Sequence, residues 1–181
     1  PEHFNQVAAK IIGGDMPPAD ALVIDIGSND GSLLHPFKDA GYRVLGIDPV
    51  REIARTATES GIETIPELMS LSLGQKIHKE LGEAHIVCMF NAFAHADNMG
   101  EIAESIRTML APDGLFVFEA QYLLDIIDRM LIATIFHEHM SHHSVKALII
   151  FFARHGLELI DVERVPIQHG SLIGTVQLMG G

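Results

Sequence analysis

The chain has 181 residues, a formal net charge of −12, a pI near 5.2, and a composition that is 48% hydrophobic and 20% charged. That is a globular composition, long enough for one domain with a core that folds unaided. The acidic excess argues against a nucleic-acid partner, because phosphate neutralisation needs clustered Lys and Arg. No apolar run reaches the roughly 18 residues needed to span a membrane, and no basic leader followed by an apolar core opens the chain. A single cysteine, Cys88, excludes a disulfide framework or a cysteine-built zinc site within these residues. The expectation is a soluble protein of a reducing compartment, the cytoplasm. The chain opens at Pro1 and stops at Met179-Gly-Gly directly after a strand-like run, which reads as a piece cut from something longer.

In chain order, strand and helix alternate. Ala21–Ile26 is a short apolar run ending at glycine, as a buried parallel strand does. Ser32–Ala40 reads as a helix closed by Gly41, Tyr42–Ile47 as a second strand, and Pro49–Ser60 as a helix with proline at its start and Gly61 at its end. Ile62–Ile65 is a short third strand, Ser70–Leu81 a polar helix, and Ala84–Phe90 a fourth strand. Asn98–Leu110 reads as a helix stopped by Ala111-Pro-Asp-Gly114, and Leu115–Glu119 as a fifth strand. Beyond it, Tyr122–Ile132 is apolar and helical, Val145–Arg154 is a helix closed by Gly156, and Leu157–Val165 and Leu172–Leu178 form an antiparallel hairpin. The expected fold is α/β: a doubly wound, seven-stranded, mostly parallel sheet with a terminal antiparallel hairpin, in one domain over residues 1–181.

The strongest local signal is Ile24-Asp-Ile-Gly-Ser-Asn-Asp-Gly31, which follows a strand and opens a helix. Its glycines let the backbone turn sharply and approach a ligand. The spacing is Gly-x-x-x-Gly rather than Gly-x-Gly-x-x-Gly, and Asp25 and Asp30 flank it. Two carboxylates repel a pyrophosphate, so the turn suits a neutral or cationic ligand better than a dinucleotide. Asp48, 23 positions after Asp25 at the end of the second strand, stands where a carboxylate accepts both hydroxyls of a ribose.

Asp25-x-Gly-x-x-x-Gly31, followed by Asp48 and then Leu110-Ala-Pro-Asp-Gly114, resembles the class I S-adenosylmethionine-dependent methyltransferases, whose Rossmann-like fold has seven strands. The resemblance implies S-adenosylmethionine as cofactor. By it, Asp25, Gly27, Ser28, Asn29 and Gly31 border the methionine moiety and ribose, Asp48 holds the ribose diol, and Pro49 lies beside the adenine. Asn91, Ala92 and His95 face the methionine end. An acid for the adenine amino group falls on Glu63 or Glu67, with nothing to choose between them. A sulfonium is a cation, so carboxylates are tolerated here.

Thr134–His143 holds four of the chain's 11 histidines. The spacing is not His-Glu-x-x-His, because Ser141 occupies the position of the second histidine. From the residues alone, metal binding, a polar surface loop and general-base chemistry all remain open. Phe136-His-Glu-His139, Glu119-Ala-Gln-Tyr122 and His169-Gly-Ser171 resemble the sugar C-methyltransferases, which act on nucleotide-linked keto-deoxysugars. The resemblance implies no metal at the site, His139 as the base with Glu138 assisting, and Phe136 and His169 on the substrate side. Phe136 stands where the family usually has tyrosine, so a small-molecule O- or N-methyltransferase, or a core that binds cofactor but is inactive alone, stay as alternatives. Full-length members carry an N-terminal zinc module and a C-terminal substrate domain. The expected partner is a small molecule, with exposed sheet edges favouring a homo-oligomer. Met69, Met89, Met99, Met109 and Met130 read as core filling, Cys88 as an inert buried thiol, and Asp125 and Asp128 as the solvated face of their helix.

Overall fold

The computed structural model describes residues 2–14, 18, 20–131 and 139–180. Seven strands form one sheet: β1 (Leu22–Ile26), β2 (Arg43–Ile47), β3 (Thr64–Ile65), β4 (Ala84–Phe90), β5 (Leu110–Gln121), β6 (Leu157–Val165) and β7 (Ser171–Leu178). Their spatial order is β3-β2-β1-β4-β5-β7-β6. The first five run parallel, and β7 lies antiparallel between β5 and β6. The helices are α1 (Glu2–Ile12), α2 (Leu34–Asp39), α3 (Arg51–Glu59), α4 (Leu71–Leu81), α5 (Met99–Met109), α6 (Leu123–Asp128) and α7 (Val145–Arg154).

The sheet is buried on both sides, which is why its central strands read as unbroken apolar runs. Leu22, Ile24 and Ile26 of β1 face a core shared with α4, α5 and α7, where Ile77, Ile106 and Phe152 are buried. Val23 faces the opposite core, with Val7 and Ala8 of α1 and Leu34 and Phe37 of α2. After β1 the chain winds outward through β2 and β3, then returns to place β4 on the other side of β1. This reversal opens a crevice at the carboxyl ends of β1 and β4, where α/β sheets bind ligands.

Several local expectations change. Sequence analysis assigns no element before Ala21, yet α1 is a regular helix there, with Phe4, Val7, Ala8 and Ile11 spaced along one face. Ala111–Gly114 does not sit between helix and strand. It is a bulge within β5, since pairing with β4 jumps from Ala84↔Leu110 to Ile86↔Leu115. The helix expected from Pro49 starts at Arg51, because Asp48 carboxylate Oδ1 accepts the Val50 N–H at 2.9 Å and holds that residue extended.

Two expectations in and after α6 are overturned. Asp125 is fully buried, not solvated. It accepts hydrogen bonds from Arg164 Nε at 2.8 Å and from a second nitrogen of the same guanidinium, and Arg129 Nε lies 3.2 Å away. The Arg164 guanidinium, offset by burial, holds the Asp125 carboxyl below its ordinary value. Asp128 is exposed as expected. Met130 is 73% exposed rather than core, because the helix, expected to run to Ile132, ends at Asp128 and Met130 turns into the left-handed region at φ 52°. Met89 and Met109 are buried, while Met69 and Met99 pack against the core. Cys88 is buried, and that burial raises its thiol pKa well above the ordinary value.

The turn after β4 is anchored by Phe93, fully buried, with ring centroids 5.5 Å from Phe118, 6.0 Å from Phe152 and 6.4 Å from Phe116. Phe93→Ala is expected to lose about 3–5 kcal/mol of unfolding free energy in urea titrations. A loss below ~1 kcal/mol would show that this ring does not hold the turn.

Candidate cofactor-binding site

The turn after β1 is shaped by alternate left-handed residues: Gly27 (φ 76°), Asn29 (φ 50°) and Gly31 (φ 79°). Its first two amides, Gly27 N–H and Ser28 N–H, both donate to the Ile47 carbonyl, at 2.7 and 3.1 Å. Asp48 Oδ2 then accepts the Asn29 N–H at 3.0 Å. The turn after β1 is therefore bonded to the end of β2 at three points. Each Asp48 oxygen takes one backbone N–H, and a carboxylate has about four acceptor positions, so two remain for a diol.

Two cavities meet at this point. One of about 550 Å³ is lined by Asp25, Gly27, Ser28, Asn29, Asp48, Asn91, Ala92 and His95, with Phe4 and Phe90 at its wall. The other, about 300 Å³, is walled mainly by apolar side chains, among them Ile26, Ile47, Pro49, Met69 and Met89. Gly27, Ala92 and His95 line both. A Cβ at position 27 would lie 2.8 Å from the Ala92 Cβ, so only glycine keeps this neck open. The paired cavities fit an elongated ligand with a polar end, a diol near the middle and a flat apolar group at the other end.

Most of the expected cofactor residues come together here. Asp25, Gly27, Ser28, Asn29, Asp48, Asn91, Ala92 and His95 line the polar cavity, and Pro49 the apolar one. Gly31 lines neither. A Cβ there would meet Ile62 Cγ1 at 2.9 Å, so this glycine serves packing of the turn onto the core. Of the two acids considered for the far end, Glu67 lines the apolar cavity and Glu63 does not. His139 lines neither cavity, but its ring centroid is 5.0 Å from that of His95. His169 is exposed at a turn before β7, where its carbonyl accepts a hydrogen bond from Arg129 at 2.6 Å. Phe136 and Glu138 lie outside the described residues. Phe4 escapes the sequence reading because it lies in an unassigned helix, and Glu119, although part of the Glu119-Ala-Gln-Tyr122 motif, receives no role from it; the structure buries it completely.

The electrostatics suit a cation. Asp25 is 3% exposed, and burial, reinforced by the Asp48 charge, raises its pKa well above the usual carboxylate value. Its Oδ1 and the Ser28 hydroxyl are buried without a hydrogen-bond partner among the described residues. Such groups cost free energy unless something answers them. Asp30 is held below its usual pKa by a hydrogen bond from Ser32. Three carboxylates around the turn oppose a pyrophosphate.

A methyltransferase-domain family model matches residues 6–162. The chain belongs to the class I S-adenosylmethionine-dependent methyltransferases. It is 39% identical over 152 residues to the C-methyltransferase NovU of Streptomyces niveus; the match covers 84% of this chain and 36% of that protein. The chain thus spans about a third of the length of this relative. Among solved structures it resembles magnesium protoporphyrin IX methyltransferase of Synechocystis PCC 6803 with bound SAH (TM-score 0.72, 16% identity, 97% of this chain and 81% of that one). It also resembles the CcbJ methyltransferase of Streptomyces caelestis (TM-score 0.74, 14% identity, 98% of this chain and 90% of that one). At these identities the two structures bear on the fold alone.

The family's cofactor is S-adenosylmethionine, and the residues present fit it: the unpartnered Asp25 and Ser28 atoms, the Asp48 carboxylate and the glycine neck each answer a part of that molecule.

Two expectations about pH follow from this chemistry. A cation entering the cleft favours ionised Asp25 and lowers its raised pKa, so cofactor binding releases a proton and tightens as pH rises through the Asp25 titration. Calorimetry in buffers of different ionisation enthalpy is expected to show this release, and Asp25→Asn to abolish it; equal heats in all buffers for the unmodified chain would refute it. His143, its ring tilted against Phe93 at 5.2 Å, has its pKa lowered to about 4 by burial and by His142. A depressed histidine binds fewer protons folded than unfolded, so stability present above pH ~6.5 falls as pH drops towards ~4, by roughly 3 kcal/mol in total. Urea midpoints across that range are expected to track this loss, with a flatter profile in His143→Phe; identical profiles would contradict it.

Proposed function

We propose that this chain is the methyl-transferring core of a C-methyltransferase acting on a small molecule, specifically a nucleotide-linked keto-deoxysugar, with His139 as the general base and Glu138 assisting. The observation that carries the reading is the histidine pair: His139 sits 5.0 Å, ring to ring, from His95, which lines both cavities of the cofactor cleft. The similarity to a C-methyltransferase over 84% of the chain supports carbon as the acceptor atom.

When bound, S-adenosylmethionine supplies an electrophilic methyl group on a cationic sulfur. The chain's residues supply the rest. Asp48 fixes the ribose, and the Gly27–Ala92 neck sets the depth at which an elongated ligand lies. A carbon beside a ketone carries an acidic proton. His139 takes that proton onto its imidazole, and the electron pair left on carbon becomes the nucleophile. Histidine suits this task because its ordinary pKa of about 6.5 leaves the ring neutral and basic near pH 7. Positioning supplies much of the acceleration, since carbon and methyl group must meet in line. His169, which lines neither cofactor cavity, and Phe136 are assigned to the acceptor side.

His139→Asn is expected to lower turnover with a nucleotide-linked keto-deoxysugar by about 10²–10⁴-fold while leaving S-adenosylhomocysteine binding nearly intact. Mass spectrometry of the methylated product against time is the measurement. Unchanged turnover in His139→Asn would remove the base assignment, and methylation at oxygen or nitrogen would remove the carbon acceptor.

A further inference from the structure

The carboxylate of Glu119, at the carboxyl end of β5, is fully buried. Its Oε1 accepts a hydrogen bond from Asn91 Nδ2 at 3.1 Å, and the Glu119 backbone carbonyl accepts the Asn91 N–H at 3.0 Å. Its Oε2 accepts from His3 Nε2 at 2.5 Å. A carboxylate only accepts, so the imidazole is the donor. The three residues come from β5, from the turn after β4, and from α1, and lie 116 and 28 positions apart in the chain.

This arrangement does more than satisfy a buried acid. Asn91 sits in the left-handed region at φ 56°, a conformation asparagine adopts more readily than most residues and which its two bonds to Glu119 hold in place. Both its backbone N–H and its side-chain amide are bonded to Glu119, and Asn91 lines the polar cavity. On the same wall stands Phe4, the neighbour of His3, set edge-on against Phe90 at 6.1 Å and 88°. His3 thus reaches the cavity by two routes: through Glu119 to Asn91, and through its own helix to Phe4. No residue of α1 lines the apolar cavity.

We infer that α1 is part of the cofactor site, with His3 and Glu119 as positioning residues that hold Asn91 and Phe4 around the amino-acid end of S-adenosylmethionine and not around its nucleoside. The inference rests on the cofactor reading given above. It assigns the site a wall built by the first residues of the chain. Loss of the His3 donor frees Glu119 to rotate, releases Asn91 from its left-handed setting, and loosens the end of the cleft that contains Asp25 and Ser28.

Adenosine and S-adenosylhomocysteine separate the two ends. Both contain the nucleoside, and only the second has the amino-acid part. Calorimetric titration of His3→Ala is expected to weaken S-adenosylhomocysteine by about tenfold, the scale of one hydrogen bond to a charged group, with adenosine affinity unchanged. His3→Gln keeps an N–H donor and is expected to restore the difference between the ligands. Equal weakening of both ligands, or of neither, would overturn the inference, because a role confined to general packing does not discriminate between them. If His3→Ala fails to fold, the same ratio is read on Glu119→Gln, which keeps the shape and replaces one acceptor oxygen by a donor; an unchanged ratio there also overturns it. Failure of the unmodified chain to bind S-adenosylhomocysteine would instead bring down the cofactor reading itself.

Discussion

The carboxylate of Asp48 ties together the two turns on which the cleft is built. One oxygen accepts the Asn29 N–H from the turn after β1, and the other accepts the Val50 N–H at the head of α3. Without it, the Gly27–Gly31 turn would be fixed to β2 only through the Ile47 carbonyl. The neighbouring strand is built for the same closeness. A Cβ at Gly46 would lie 2.5 Å from the Ser28 hydroxyl and 2.6 Å from the Thr64 hydroxyl, so β2 can approach both neighbours only with a glycine there. The charge proposed to hold the ligand's diol also shapes the loop around it.

From that anchor the polarity of the cleft runs in one direction. Asp25, Ser28 and Asn91 gather at one end, Asp48 stands near the middle, and aliphatic and thioether side chains form the other. Asp25 gives the polar end its character. Burial favours its neutral form, and an arriving cation reverses that preference, so ligand charge and site charge are mutually dependent. The same acids that suit a sulfonium repel a diphosphate, the opposite of what dinucleotide binding on a similar sheet requires.

Much of this was legible in the residues. Parallel strands buried on two faces leave continuous apolar runs, and Ala84–Phe90 shows this with the bounds the sequence suggests. Asn98 and Ser144 announce helices through side chains that cap them. The lining of the cleft was legible where backbone geometry acts on adjacent residues, as in Gly27–Asn29. Features built from distant residues were hidden. Asp125 looks like a surface acid until Arg164, 39 positions later, folds onto it. Glu119 looks like a strand residue until His3 and Asn91 enclose it. Gly31 belongs to the motif but faces Ile62, because glycine spacing reports a close approach without saying to what.

The cleft has the shape and charge to take a cationic nucleoside at Asp48. Equilibrium titration of the purified chain with S-adenosylmethionine and, separately, with NADH tests it most directly. Saturable one-to-one binding of the first, lost in Asp48→Ala, with no heat from the second, is the expected result. Binding of NADH with none of S-adenosylmethionine would contradict it.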